Sequence, residues 1–308
     1  MSNLTGSHPA FFLLLGLPGL ESTYMYIAFV FFFVYLVSLI GNLTLLFIIR
    51  TDRSLHEPMY LFLSMLSTID LVLTSSTTPK LLSILWFHYQ EIYFGACLTQ
   101  MFFIHSFASM ESSILLAMAF DRYLAICHPL RYHLLLTNRL VAMIGLLSVA
   151  RGVIATLPLP ILFLRLTLCD HSVVQHSLCD HMAVVKLACS DTTVNSVYGL
   201  VVALLIVVVD LMFIICSYVF ILRAVFGLAT HEARFKALST CTSHICAILV
   251  FYAAVVLSSV IQRFGKTVPS YIVILLSNIY LMLPPLINPI VYGVKTRQIR
   301  NHLERLLL

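Results

Sequence analysis

Several ionisable side chains lie inside long apolar stretches of the sequence, where a charge is costly unless it has a partner or a task. They are Asp70, Glu111, Asp121, Arg122, Arg151, Asp210 and Arg263. In an apolar environment such groups bind ions or polar ligands, or they pair with one another. Each is therefore a candidate functional residue, except that for Arg151 we expect only a structural pair.

Glu111 and Arg122 are predicted to project from one face of a helix. They are eleven residues apart, which at about 100° per residue is about three full turns plus 20°. Asn42, Asp70 and Asn288 can join Glu111 from neighbouring helices. This predicts a buried polar core suited to a water or sodium network. The alternative is a static hydrogen-bond network that only fixes helix packing.

Ser259 and Arg263 are four residues apart, so they form a pair of hydrogen-bond donors one turn apart on a helix. A guanidinium at the rim of a dry pocket suits a carboxylate, which it can bind through two hydrogen bonds. Two alternatives remain for Arg263. It can reach lipid headgroups, or it can pair with a loop acid such as Asp180.

The elements that must position these residues are membrane helices. Of the 308 residues, 60% are hydrophobic and 10% are charged, against about 25% charged in an average globular protein. The apolar residues form continuous blocks that reach the ~20 residues needed to cross a bilayer as a helix. The predicted fold is an all-α bundle of seven transmembrane helices in one domain, 1–308. We place the spans at 24–49, 59–85, 97–126, 140–164, 194–226, 237–261 and 271–292.

The distribution of basic residues orients the chain, because lysine and arginine collect on the cytoplasmic side of a membrane. One side holds Arg50, Arg53, Arg122, Arg131, Arg139, Arg223, Arg234, Lys236, Lys295, Arg297, Arg300 and Arg305, and the opposite loops hold Arg165, Lys186, Arg263 and Lys266. We expect 1–23 outside the cell, 24–293 in the bundle and 294–308 in the cytosol as a short amphipathic helix on the lipid bilayer. The net charge of +5 thus sets topology and gives no indication of nucleic-acid binding.

The segment before the first span carries no lysine or arginine, and we expect the first helix to act as an uncleaved signal anchor. Asn3 begins a glycosylation sequon in this outer segment. A second sequon at Asn42 falls inside the first helix, where no transferase can reach it. Asn3 is therefore the predicted acceptor.

Four of the eight cysteines, Cys97, Cys169, Cys179 and Cys189, fall in the predicted outer layer, where disulfides persist. Spacing leaves all three pairings open. The other four, Cys127, Cys216, Cys241 and Cys246, are expected to be free. A rival prediction is a metal site of His171, His176, Cys179 and His181, which is disfavoured because this compartment favours oxidised pairs and no zinc-type spacing occurs. We expect no metal and no cofactor.

Other classes of membrane protein find little support. The sequence has no HExxH, GxSxG or carboxylate dyad, so an enzyme is not expected. A transporter usually carries internal repeats, and none is evident.

Four strings decide the class of protein. They are LHEPMYLFLS at 55–64, MAFDRYLAIC at 118–127, KALSTCTSH at 236–244 and PPLINPIVYG at 284–293. Together with Gly41-Asn42 in the first helix, they resemble odorant receptors over essentially the whole chain. This resemblance implies a rhodopsin-like fold in the plasma membrane. A rhodopsin-like receptor for a lipid or metabolite outside the nose is the main alternative.

Finer features look like the class I, fish-like branch, close to families 51 and 52. They are GLPGL at 16–20, His105 followed by Glu111, Asp210, and the three cysteines of the second outer loop. By resemblance Cys97 pairs with Cys179, Cys169 pairs with Cys189, and the loop covers the outer mouth as a lid.

The resemblance also implies a function. A small-molecule odorant would bind in the outer half and activate the stimulatory or olfactory heterotrimeric G protein, which raises cyclic AMP. Asp121, Arg122 and Tyr123 would form the switch at the G-protein face, because a charged pair at a helix end can hold a closed state. Tyr218 and Tyr292 match inner tyrosines that rearrange around it.

In class I receptors that recognise acids, the residues matching Arg263 and Ser259 bind the carboxylate, and His105 matches another pocket residue. His105 could instead be a packed, hydrogen-bonded histidine. The predicted walls are Phe102, Ser106, Ser109, Ser112, Val202, Leu205, Ile206, Val255 and Val256, with Tyr252 at the floor. We predict a fatty acid or a related oxygenated aliphatic ligand, whose chain length is read coarsely at ~0.8 kcal/mol per buried methylene.

Overall fold

The computed structural model describes residues 9–169, 172–227, 230–264 and 268–307. Within these ranges it describes no side chain at 236, 240, 260, 262–264, 294, 295, 297, 303 or 305–307. The helices are α1 Tyr24–Thr51, α2 Pro58–Phe87, α3 Phe94–Cys127, α4 Tyr132–Leu135, α5 Asn138–Thr156, α6 Pro158–Phe163, α7 His181–Val185, α8 Thr193–Phe226, α9 His231–Phe264, α10 Ser270–Lys295 and α11 Arg297–Leu307. The strands are β1 Phe11–Leu14, β2 Glu91–Tyr93 and β3 Val173–Val174.

Seven membrane spans are found in the described part of the chain, as predicted: α1, α2, α3, α5 with α6, α8, α9 and α10. Their bounds lie within a few residues of the predicted ones, apart from α9, which begins earlier at His231. The fourth span, predicted at 140–164, is found at Asn138–Phe163 and consists of two helices. It divides between α5 and α6 at Leu157, because Pro158 and Pro160 have no amide hydrogen to continue the ladder.

The last span tolerates Pro284, Pro285 and Pro289 because a neighbouring helix replaces a lost hydrogen bond. Pro289 has no amide hydrogen for the carbonyl of Pro285, four residues earlier. That carbonyl accepts instead from Asn42 Nδ2 at 2.9 Å and from Ser38 Oγ at 3.1 Å, both on α1. A Cβ at Gly41 would lie 2.9 Å from the Pro289 ring, so glycine permits this close approach.

The hydrophobic core has a large inner cluster and a separate outer one. The inner cluster joins α2, α3, α9 and α10 through residues such as Phe62, Met118 and Phe251. The outer cluster packs Phe12 of β1 against Phe94 and Phe163. We call the end of the bundle that carries the strands the outer end.

A three-stranded sheet of order β2-β1-β3 covers this outer end. β1 pairs antiparallel with β2 and parallel with β3, so the segment before α1 is joined to two loops at once. The second outer loop is further held by the disulfides Cys97–Cys179 and Cys169–Cys189. These are the pairings that the resemblance implies. Cys127, Cys216, Cys241 and Cys246 form no disulfide.

Candidate functional site

A cavity of about 320 Å³ lies at the outer end, enclosed by α3, α8, α9, α10 and the second outer loop. Most of its wall is aliphatic, including Leu159, Leu200, Val202, Ile206, Val207, Val255 and Leu281. Its polar lining comes from His105, Ser109, Ser112, Thr156, Asp180, His181, Ser258, Ser259, Ser277 and Tyr280. A mainly apolar pocket with a few convergent polar groups is the usual design of a site for a small molecule.

The roof of the cavity is a segment of the second outer loop, residues 176–182, which we call the lid. Cys179 is bonded to Cys97 of α3, and its amide also donates to Gln100 Oε1 at 2.9 Å. On the opposite side, Asn278 of α10 donates to Ser177 Oγ at 2.7 Å. Because the lid is tied to two spans, it is a fixed part of the wall.

Three histidines belong to or touch the lid. His105 Nε2 lies 3.8 Å from Asp180 Oδ1, and its ring centroid lies 6.3 Å from that of His181. Asp180 also accepts from the amide of Met182 and caps α7. The ring of His176 is buried, which lowers its pKa to about 4. Near neutral pH His176 is therefore uncharged, with Nδ1 accepting from the amides of Ser177 and Leu178.

The rival prediction of a metal site finds no support in the lid. The sulfur of Cys179 is bonded to Cys97 and is therefore not a thiolate ligand, and His171 lies outside the described residues. In the described ranges there is no cluster of three or more His, Cys, Asp or Glu side chains that could hold a metal ion.

Five of the residues predicted to bind the ligand meet at the cavity: His105, Ser109, Ile206, Val256 and Ser259. Ser112, Val202 and Val255 of the predicted wall line it as well. Arg263 belongs to α9, one turn beyond Ser259, but its side chain lies outside the described residues. Asn3 likewise lies outside them.

Four predicted pocket residues do not line the cavity. The predictions for Phe102, Ser106 and Leu205 need correction, whereas Tyr252 was predicted at the floor. Phe102 packs against the ring of Phe103, 6.0 Å between centroids. Ser106 faces Thr156 of α5 and hydrogen-bonds to it. Leu205 lies on the outer surface of α8, 59% exposed. Tyr252 lies below the cavity, where its hydroxyl is 2.8 Å from Ser112 Oγ.

The floor of the cavity rests on an ion pair of Arg151, for which a structural pair was expected but no partner was named. Arg151 of α5 donates to both oxygens of Asp210 on α8, at 2.9 and 2.7 Å. Ser112, which lines the cavity, donates to Asp210 Oδ2 at 2.5 Å and contacts Tyr252 of α9. Four spans thus meet in one polar cluster directly beneath the ligand site.

The predicted buried polar core is assembled only in part. Asn288 Nδ2 donates to Asp70 Oδ2 at 3.0 Å, and Glu111 lies close enough to Asp70 for their charges to interact. Asn42 was expected to join this group, but its amide is used by the Pro285 carbonyl. Asp70, Glu111 and Asn288 are all buried, and within the described residues Glu111 Oε1 has no hydrogen-bond partner. Two adjacent buried carboxyl groups suit a shared proton or a cation.

At the inner end, Arg122 Nε lies 3.8 Å from Asp121 Oδ2. Tyr132 of α4 donates to Asp121 Oδ1 at 2.7 Å, a contact that the sequence analysis missed. Burial and the charge of Asp121 raise the pKa of Tyr132, so this hydroxyl keeps its proton. Tyr123 faces α8, with its ring centroid 5.9 Å from that of Phe220.

The two inner tyrosines, Tyr218 and Tyr292, differ in their hydrogen bonding. Tyr218 of α8 pairs with His244 Nδ1 of α9 at 2.8 Å, and His244 Nε2 reaches the carbonyl of Leu115 on α3 at 3.0 Å. Tyr292 is buried, and its hydroxyl has no hydrogen-bond partner in the described part of the chain. The signal for His244 was its place in the 236–244 string, which gave it no specific role.

Comparison with known proteins gives a consistent result. A family model described as "Olfactory receptor" matches residues 31–308. The human proteins named olfactory receptor 52K1 and olfactory receptor 52K2 are 57% and 55% identical, over 98% and 97% of this chain and 96% of each receptor. Human olfactory receptor 51E2 is 50% identical over 98% of this chain and 94% of its own length. The crystal structure of squid rhodopsin superposes with a TM-score of 0.76 at 15% identity, covering 92% of this chain and 85% of that one.

Proposed function

The chain belongs to the olfactory receptor family, and from this we propose that it binds a carboxylic acid or a related oxygenated aliphatic odorant and raises cyclic AMP through a stimulatory or olfactory heterotrimeric G protein. The family itself makes the chain an odorant receptor, a multi-pass plasma-membrane protein with a small-molecule ligand and a G-protein partner. It is not an enzyme.

The observation that carries the ligand proposal is the aliphatic cavity with Ser259 on its wall, one turn before Arg263 on α9. A carboxylate brought into this cavity approaches the carboxyl group of Asp180 in the lid. Two like charges in a dry site repel each other, so a cation must accompany them. Arg263 supplies that cation and binds the ligand, while Ser259 and His105 add hydrogen bonds. The aliphatic chain of the ligand then fills the apolar wall.

The signal is proposed to pass along α9. Ser259, Tyr252 and His244 are separated by seven and eight residues, about two turns each, so they share one side of the helix. Ligand binding at Ser259 shifts α9 against the floor cluster, and the Tyr218–His244 contact at the inner end rearranges. Arg122 is then free to contact the G protein. Such a response is a shift between two preexisting arrangements.

The proposed orientation puts the lid outside the cell and α11 on the cytoplasmic leaflet. It rests on the basic residues of the inner loops and tail. An amphipathic helix such as α11 lies in the interface between lipid and water. Glycan on Asn3 would give an independent readout of this orientation.

The test is cyclic AMP in cells that express the receptor, measured across straight-chain acids and the matching alcohols from about two to about twelve carbons. Arg263→Ala should lower the potency of acids by about tenfold to a hundredfold, the loss expected for a charge-assisted hydrogen bond. It should leave responses to alcohols unchanged. Arg165→Ala, which removes an exposed loop arginine, is the matched control. Unchanged potency of every acid agonist in Arg263→Ala would overturn the anchor.

A further inference from the structure

Part of the cavity wall, where α8 and α9 meet, is also exposed on the outer surface of the bundle. Leu204 of α8 lines the cavity and is 51% exposed, and Val256 of α9 lines it and is 46% exposed. Their neighbours Leu205 and Leu257 are 59% and 50% exposed but do not line the cavity. The seam between the two helices therefore runs from the ligand site to the lipid-facing surface at Leu204 and Val256.

The two helices are fastened at their inner ends. Tyr218 and His244 hydrogen-bond across the seam there, 14 positions along α8 from Leu204 and 12 along α9 from Val256. At the level of the cavity most of the side chains that α8 and α9 contribute to the lining are aliphatic. Aliphatic contacts have no direction and cost little to slide, so the outer part of this seam separates more readily than the inner part.

The outer mouth of the cavity is obstructed. Leu178, Asp180, His181 and Met182 of the lid form its roof. The Cys97–Cys179 disulfide and the Asn278–Ser177 hydrogen bond hold that roof to α3 and α10. A ligand arriving from water on the lid side meets this fixed segment, whereas a ligand in the bilayer meets aliphatic side chains at the seam.

We propose that the seam between α8 and α9 at Leu204 and Val256 is a lateral portal, through which single-chain aliphatic amphiphiles enter the cavity from the bilayer leaflet on the lid side. The inference rests on the proposed ligand class and adds the route. The tail passes between α8 and α9, and the polar head stays at the level of Ser259 and the lid. The portal favours acids and alcohols long enough to partition into the membrane, since each methylene adds ~0.8 kcal/mol of preference for lipid.

The experiment uses purified receptor in lipid nanodiscs mixed with vesicles preloaded with a photoreactive straight-chain fatty acid of about ten carbons. Light pulses at increasing times label the protein, and peptide mass spectrometry follows labelling of the cavity segments. The portal variant is Leu204→Trp with Val256→Trp, and Leu204→Phe is a milder version. The matched control is Leu205→Trp with Leu257→Trp, which places the same bulk on the lipid face. Asn278→Ala loosens the lid.

The cavity should be labelled in the wild type, about tenfold more slowly in the portal variant, and at the wild-type rate in the control and in Asn278→Ala. The final extent of labelling should be equal in the wild type, the control and Asn278→Ala. Because Leu204 and Val256 also line the cavity, the rate in the portal variant is compared after division by its own final extent of labelling. A portal variant that fills at the wild-type rate, or an Asn278→Ala receptor that fills much faster, would overturn the portal. An unlabelled cavity in the wild type would also overturn the portal, even if acids added to the aqueous phase activate the receptor. Labelling without any cyclic AMP response to acids would leave the portal standing and refute the proposed function.

Discussion

Arg151→Leu is predicted to destabilise the receptor strongly, because it leaves the carboxyl group of Asp210 buried without its cation. Asp210 is 1% exposed and receives two hydrogen bonds from Arg151, at 2.9 and 2.7 Å. Ser112 remains as one donor. Breaking a buried pair from one side typically costs about 3–5 kcal/mol, and we expect a loss of folding stability in that range.

The double variant Arg151→Leu with Asp210→Leu removes both charges and should recover most of the loss. Replacing a whole buried pair by apolar residues is often neutral. A double-mutant cycle should therefore give a coupling energy of about 3 kcal/mol, at the upper end of what contacting residues show. Arg223→Leu removes an exposed arginine of α8 and should change stability by less than about 0.5 kcal/mol.

The assay is thermal unfolding of five purified receptors in identical nanodiscs, together with their surface expression: the wild type, the single variants Arg151→Leu and Asp210→Leu, the double variant and Arg223→Leu. The order of stability should be wild type and Arg223→Leu first, then the double variant, then Arg151→Leu. If Arg151→Leu is as stable as the wild type, or if the double variant loses the sum of both single losses, the pair does not carry the floor of the cavity.

Three further predictions concern the outer end. Phe12→Ala should weaken the packing of β1 on the bundle by about 3–5 kcal/mol, measured as faster proteolysis before α1 and lower surface expression. Phe11 is only partly buried, so Phe11→Ala should have a smaller effect. Gly199→Ala should lower acid potency, because its Cβ would lie 2.9 Å from the His181 ring and push it into the cavity; Gly95→Ala, with open space around it, should not. The pKa of His176 is about 4 in the fold, below its ordinary 6.5, so its contribution to stability is complete above pH 6.5 and is lost as pH falls toward 4, by at most about 3 kcal/mol. His176→Asn keeps an acceptor for the lid amides and should flatten that dependence in thermal melts; an unchanged slope would contradict it.

The seven spans could be predicted because the bilayer imposes one requirement on every helix, about twenty consecutive apolar residues. The exceptions are local. The fourth span breaks because the effect of Pro158 on a helix depends on whether a neighbour replaces the lost hydrogen bond. For Pro289 a neighbour does so, through Asn42 and Ser38.

The residue types of the candidate site could be predicted from the sequence, but the direction in which each side chain points could be predicted only in part. Helical spacing places residues on one face without saying which neighbour that face meets, so Ser106 turned out to face α5 and Leu205 to face outward. Arg151 and Asp210 are 59 positions apart, and nothing local pairs them. The sheet formed by β1 depends on two loops distant in sequence, although the apolar run at 11–15 gave a weak signal.

The most direct test of the central claim is guanine-nucleotide exchange on a purified stimulatory heterotrimeric G protein, catalysed by this receptor in nanodiscs in the presence of straight-chain acids. We predict that one or more acids accelerate exchange by the wild-type receptor and that Arg263→Ala abolishes the acceleration at the same acid concentrations. No acceleration by any acid or alcohol, or acceleration on an inhibitory G protein only, would contradict the proposed function. Acceleration by alcohols alone would contradict the binding of a carboxylate by Arg263.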